Sequence, residues 1–118
     1  MIRYINCVKR RSDVSLEEFR RHWGASEFDQ LIEKTADLVG ASGFKKSFTL
    51  QVPENEIIQL MRGSEDPYDG TIEYFLPNAH GFEKAYATDE FRVASAQMTE
   101  YQKRFIDISA CSGFFTTE

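Results

Sequence analysis

Residues 2–24, IRYINCVKRRSDVSLEEFRRHWG, read as a strand that runs through a basic link into a helix, and this junction decides the fold. Over residues 2–9, Ile2, Tyr4, Asn6 and Val8 fall on one side and Ile5 and Cys7 on the other. Both sides are mostly apolar, which predicts a strand covered on both faces. Ser15 and Glu18 make a capping box, and Val14 and Phe19 occupy the two positions of a hydrophobic staple around it. Leu16, Phe19 and Trp23 then follow helical spacing. Beyond Gly24 the apolar stripe changes phase and restarts as Phe28, Leu31, Ile32, Ala36 and Val39. That shift, with a second cap at Ser26, predicts a bend or break between residues 24 and 27, and Gly40 closes the helix.

Outward from this unit, residues 43–52 alternate Phe44, Phe48, Leu50 and Val52 against Lys45, Ser47, Thr49 and Gln51, the period of a strand with one polar face. Lys46 interrupts its apolar side. Asn55 caps a predicted short helix, Glu56–Arg62, that Gly63 ends. Ser64–Gly70 is a loop and turn, and a third strand runs over about residues 71–76. Pro77 ends it and Asn78 caps the next helix, which carries Phe82, Ala85 and Tyr86. From Thr88 or Asp89, Phe91, Ala94, Met98, Tyr101 and Phe105 form one stripe along a long helix, and residues 111–117 make the final strand. The order β-α-β-(short α)-β-α-β is the split βαβ plan: an α+β, ferredoxin-like domain with a four-stranded antiparallel sheet. No linker, low-complexity tract or repeat divides residues 1–118.

The chain of 118 residues is 42% hydrophobic and carries a net charge of −5, which argues against general nucleic-acid binding. No apolar run approaches the roughly 20 residues that span a bilayer. The N-terminal MIRYINCVKRR has no apolar signal core, and there are only two cysteines, so a cytoplasmic protein with reduced thiols is expected. Sixteen aromatic residues (ten Phe, five Tyr, one Trp) exceed what so small a core needs. Two helices covering one side of the sheet leave its other face open, and part of the aromatic surplus is expected there. Such a face, left wet, is a large apolar patch that monomers seldom tolerate. Pairing two sheets across a two-fold covers it and encloses a central space, so a homodimer is expected.

Several motifs taken together resemble the EthD family: VKRR after the first strand, LEEFRRHW in the first helix, YDG-x-x-E leading into the third strand, and RFID before the last. The resemblance covers Val8–Trp23, Tyr68–Phe75, Phe82–Glu90 and Arg104–Asp107. It implies a small protein that dimerises into an α+β barrel. The family takes its name from an accessory protein of an ether-degrading oxygenase cluster. Some fungal relatives resemble cofactor-free dehydratases or decarboxylases of polyketides. Members commonly continue the helix motif as HW-x-x-x-H, with the second histidine near the barrel pocket. Glu27 stands at that position here, so an imidazole's near-neutral acid–base chemistry is lost.

Candidate site residues follow from polar groups on otherwise apolar elements. Glu73 lies inside TIEYFL, either inward to the barrel between two sheets, as a general base with its pKa raised by burial, or outward to solvent as an edge charge. The YDG-x-x-E resemblance points inward. His22 is the second acid–base candidate, against a plain role as a polar residue beside the helix. Trp23 is about 100° away from it on the helix and shares the stripe of Leu16 and Phe19, which also suits core packing. Tyr4, Asn6, Trp23, Glu27 and Tyr74 are the candidate pocket residues, Asn6 requiring either an internal partner or a ligand. Arg10, Arg11, Arg20 and Arg21 form a basic cluster that suits either a docked anion or a solvated face. His80 has no assigned role. Cys7, His22, His80 and Cys111 lie on separate elements without a CxxC or HxxxH pair, so no metal site is expected. Placing the last strand antiparallel beside the first sets Cys7 opposite about residue 113, so two free, buried thiols are expected. There is no GxGxxG, Walker or GxSxG motif, and no cofactor is expected. Two functions remain: an accessory or ligand-binding protein that takes a small apolar or carbonyl compound between the sheets, or a cofactor-independent enzyme (dehydratase, decarboxylase, isomerase or monooxygenase type) on a small aromatic or polyketide-like substrate.

Overall fold

Alternation along the strands sets the architecture. A computed structural model describes all 118 residues. The elements are β1 (Ile2–Val8), α1 (Leu16–Trp23), α2 (Ser26–Leu38), β2 (Gly43–Phe48), α3 (Pro53–Arg62), β3 (Gly70–Leu76), α4 (His80–Tyr86), α5 (Asp89–Gln102), a single 3₁₀ turn at Ile108–Ala110, and β4 (Ser112–Thr117). The sheet order is β2-β3-β1-β4 with every neighbouring pair antiparallel, the ferredoxin-like arrangement expected from the element order. Tyr4 sits opposite Tyr74 and Phe115, and Ile5 opposite Glu73 and Phe114. Ile72, Tyr74 and Leu76 are buried under the helices while Thr71, Glu73 and Phe75 alternate to the open face.

The helix break falls where the phase shift placed it. Ser15 accepts from the Glu18 N–H, α1 ends at Trp23, and α2 starts at Ser26 with Ala25 rather than Ser26 as its cap. Two other boundaries differ. β2 stops at Phe48, so Leu50 and Val52 lie outside the sheet, and Leu50 is largely exposed. α3 begins at Pro53, whose fixed φ and missing N–H suit the first helical position. Asn55 does not cap it; its amide donates to Leu50 O at 2.7 Å. In the last pair Cys7 faces Ser112, one residue from the expected position, and both thiols are free but only part-buried.

The aromatic surplus goes mainly to the helix side, not to the open face, where Phe75 and Phe114 are the aromatic residues of the paired strands. Phe105, fully buried, has Phe19, Phe28 and Tyr101 edge-on at 5.4–5.5 Å and His22 stacked at 5.1 Å. Trp23 stacks on Phe19 at 5.4 Å. Lys46, the interruption in β2, turns into this layer, where its ammonium meets Trp23 O and pairs with Asp29 at 2.6 Å.

The stretches that carried the family resemblance form a clasp around the ends of β1 and β3. Arg10 N–H donates to Asp69 Oδ2 at 2.7 Å, Asp69 N–H to Val8 O at 2.8 Å, Arg11 N–H to Phe105 O at 3.0 Å and Asp107 N–H to Lys9 O at 2.9 Å. Arg10 and Arg11 are therefore held in this clasp, Arg11 also pairing with Asp13 at 2.6 Å. Gly70 completes it. A Cβ there would lie 2.7 Å from the Trp23 ring and 2.8 Å from Ser47 O, and neither the packed indole nor the sheet backbone can withdraw. Gly70→Ala is expected to destabilise the fold by about 1–3 kcal/mol. Gly24→Ala is expected to change stability by less than about 1 kcal/mol, since Gly24 already has φ −86°. Urea unfolding of the two variants beside the wild type checks the pair.

Candidate functional site

The strands and helices frame a half-open cavity of about 190 Å³ on the helix side of the sheet. Tyr4 and Asn6 of β1 and Ile72 and Tyr74 of β3 form its floor. Thr35 of α2, Phe82 and Tyr86 of α4, and Phe91, Ser95, Met98, Thr99 and Gln102 of α5 form the walls. Period-two alternation brings Tyr4, Asn6, Ile72 and Tyr74 to one face, and antiparallel register sets the two tyrosines directly opposite. Their rings join Phe82 and Phe115 in an aromatic wall: Tyr4 lies 5.0 Å from Phe82 and 5.2 Å from Phe115, and Phe82 meets Phe115 perpendicular at 5.2 Å. Gly113 makes room for the Tyr4 phenol, since a Cβ on it would sit 2.2 Å from the hydroxyl oxygen. Two larger clefts, about 450 and 670 Å³, flank α3 and are lined mainly by polar side chains, as befits open surface grooves.

Burial sets the chemistry of the cavity. The Tyr74 phenol is pushed well above its ordinary pKa by burial and then by Tyr4, against a lowering contribution from the Thr35 hydroxyl. Tyr4 is raised by burial first, then by Tyr86 and Cys111. Both phenols stay protonated through the neutral range and offer O–H groups to an acceptor. No carboxylate, imidazole, ammonium or guanidinium lines the cavity. Nor do any three His, Cys, Asp or Glu side chains gather closely enough to hold a metal ion.

Of the residues singled out from the sequence, the structure brings Tyr4, Asn6 and Tyr74 together and leaves the others elsewhere. Glu73, one residue from Tyr74, points to the open face of the sheet, the side expected to border the space between two sheets, where its carboxylate lies 3.6 Å from Arg3. His22 packs on Phe105 with Nε2 4.0 Å from Glu18, and its carbonyl accepts from the Tyr101 hydroxyl at 2.7 Å. Glu73 and His22 are therefore separated by the sheet and the helix layer, and neither lines the cavity. Trp23 is core, between Phe19, Phe28 and Gly70. Glu27 is 61% exposed on the outside of α2, 3.9 Å from Arg104. The helix residues of the cavity were missed. Their signal was present as Ser95, Thr99 and Gln102, a polar stripe at helical spacing beside the apolar stripe of Phe91, Ala94 and Met98.

An EthD-domain family model matches residues 11–109. The chain belongs to the EthD family. Solved structures agree on the fold. An EthD family protein from Bacillus halodurans superposes with a TM-score of 0.64 at 15% identity, covering 100% of this chain and 98% of that one. A dimeric protein of unknown function and ferredoxin-like fold from Bacteroides fragilis gives 0.62 at 12% identity, covering 99% and 95%. A dimeric ferredoxin-like protein from Thermobifida fusca gives 0.58 at 13%, covering 99% and 90%. No functionally curated protein matches significantly. Within this EthD fold, Glu27 faces solvent and does not line the helix-side cavity.

The raised phenols give an alkaline limit. Unfolded tyrosines ionise near pH 10, whereas Tyr4, Tyr74 and Tyr101 hold their protons to higher pH in the fold. Above that pH the unfolded chain binds fewer protons, so stability is constant below about pH 10 from these groups and falls as pH rises beyond it. Urea unfolding at a series of alkaline pH values, followed with tyrosinate absorbance, is expected to show this fall, and Tyr74→Phe is expected to flatten it.

Proposed function

We propose that this EthD protein binds one small, neutral, largely apolar molecule per chain in the helix-side cavity, as an accessory or ligand-binding protein rather than a catalyst. The observation that carries this reading is the lining itself: seven of twelve residues are hydrophobic, and the polar remainder consists of hydroxyl and amide groups. A volume of about 190 Å³ falls below the roughly 300–1,000 Å³ of pockets for drug-sized ligands. It suits a single-ring carbonyl or phenolic compound. Tyr4 and Tyr74 donate to its oxygen, and the Asn6 amide serves either a donor or an acceptor. A charged ligand finds no counter-ion there to offset the hydration it gives up. General acid–base catalysis at neutral pH needs a group that exchanges a proton near that pH. The phenols here are displaced away from it.

The assembly is a homodimer through the open sheet face. The dimeric state of the similar Bacteroides and Thermobifida proteins supports it, as do Ile5, Phe75 and a 44% exposed Phe114 on that face. The net charge of −5 argues against nucleic acid as a partner, and no helix is long and apolar enough to cross a membrane. Two unpaired thiols fit a reducing compartment, and we place the protein in the cytoplasm.

Thermal-shift and NMR titrations with benzaldehyde, phenol and benzoate test the cavity. The two neutral compounds are expected to bind and benzoate not. Asn6→Leu is expected to weaken benzaldehyde about 10-fold by removing one hydrogen-bonding partner, and Gly113→Ala to weaken it by displacing the Tyr4 phenol. Benzoate binding as tightly as benzaldehyde, or indifference to both substitutions, contradicts the assignment.

A further inference from the structure

Helix α3 is amphipathic and stands without a partner. None of its residues is buried, and it makes none of the substantial packings between elements of the chain. Ile57 and Ile58 are about half exposed, Leu60 and Met61 are 83% and 81% exposed, and Leu50 just before the helix is 70% exposed. The radius of gyration, 15.1 Å, exceeds the roughly 13.5 Å of a compact domain of this length, as an arm standing off the body requires. A contiguous apolar surface of this kind marks an interaction site.

What covers it is indicated by two features. The open sheet face is too polar to hold a homodimer by itself: Arg3, Lys45, Ser47, Thr71, Glu73 and Thr116 alternate there with Ile5, Cys7, Phe75 and Phe114. Homodimer interfaces are about 65% apolar and bury about 800 Å² per partner. Five of the exposed large apolar side chains, Leu50, Ile57, Ile58, Leu60 and Met61, lie on the arm. Charge agrees. Glu54 and Glu56 lie in the first turn of α3 without an ion-pair partner, and the exposed Lys45 on the open face has none either. Acidic flanks also disfavour an anionic membrane surface as the occupant.

We infer that α3 is a dimer arm, packing Leu50, Ile57, Leu60 and Met61 on a second copy of this chain beside its open sheet face, with Glu54 and Glu56 turned toward that copy's Lys45. The inference rests on the proposed dimer and assigns the element that makes it stable.

Sedimentation equilibrium of the full chain tests it, comparing wild type with Leu60→Glu/Met61→Glu and with Lys45→Glu. The arm variant is expected to raise the dimer dissociation constant about 10-fold or more, with an unchanged far-UV spectrum because α3 lies outside the core. Lys45→Glu is expected to weaken the dimer too, and Glu54→Lys/Glu56→Lys to restore it. A wild type that stays monomeric overturns the dimer and the arm together. A wild-type dimer that the arm variant leaves equally tight overturns the arm alone. Amide exchange of the wild type over residues 53–62 is the second measurement, and it is expected to slow as concentration rises through dimerisation. Exchange that ignores dimerisation overturns the inference, as does vesicle binding that Leu60→Glu/Met61→Glu abolishes while the dimer stays intact.

Discussion

The Phe105 ring is the contact on which the helix layer depends. It is fully buried with Phe19, Phe28 and Tyr101 edge-on and His22 stacked. One side chain thus fixes the end of α5 against both segments of the broken first helix. Its own carbonyl accepts from Arg11, which ties the same point to the link after β1. From Phe19 the packing continues to Trp23, and from Trp23 to the bare backbone of Gly70 at the start of β3. Edge-on aromatic pairs add about 0.5–1.5 kcal/mol each beyond the area they bury. This end of the molecule is solid.

The other end of the helix side is hollow. Tyr4, Tyr74, Phe82 and Phe115 form a second aromatic group, and it surrounds space where the first surrounds a ring. The division of labour follows: the Phe105 cluster supplies rigidity and the Tyr4–Tyr74 cluster frames the proposed binding surface. The short motifs that mark the family belong to the rigid end. Asp69 and Gly70 of YDG, the VKRR link and RFID hold the backbone together, while Ile72, Tyr74, Phe82 and Tyr86 of the same resembling stretches line the cavity.

Periodicity and caps made most of the fold legible. The Ser15 cap located the start of the first helix and the phase shift after Gly24 its break, and the element order implied the sheet order. The end of β2 was hidden because the alternating pattern continues past Phe48 into the arm, where Leu50 faces outward instead of the core. The site was only half legible. Both faces of the central strands are apolar enough that alternation in TIEYFL does not tell which face each residue takes, so Glu73 of the open face and Tyr74 of the helix side were grouped into one pocket. Register and the fit of Gly113 against Tyr4 decide it, and both are tertiary facts. His22 and Glu27 were drawn toward a site by motif position, whereas packing on Phe105 and pairing with Arg104 account for their places.

The central claim is that the hollow end holds a neutral small molecule. Native mass spectrometry of the protein purified from its own host tests it most directly. One uncharged compound of single-ring size bound per chain, lost in the Asn6→Leu and Gly113→Ala variants, is the predicted result. A chain that emerges bare at every stage, or one carrying an anionic compound that both variants retain, contradicts it.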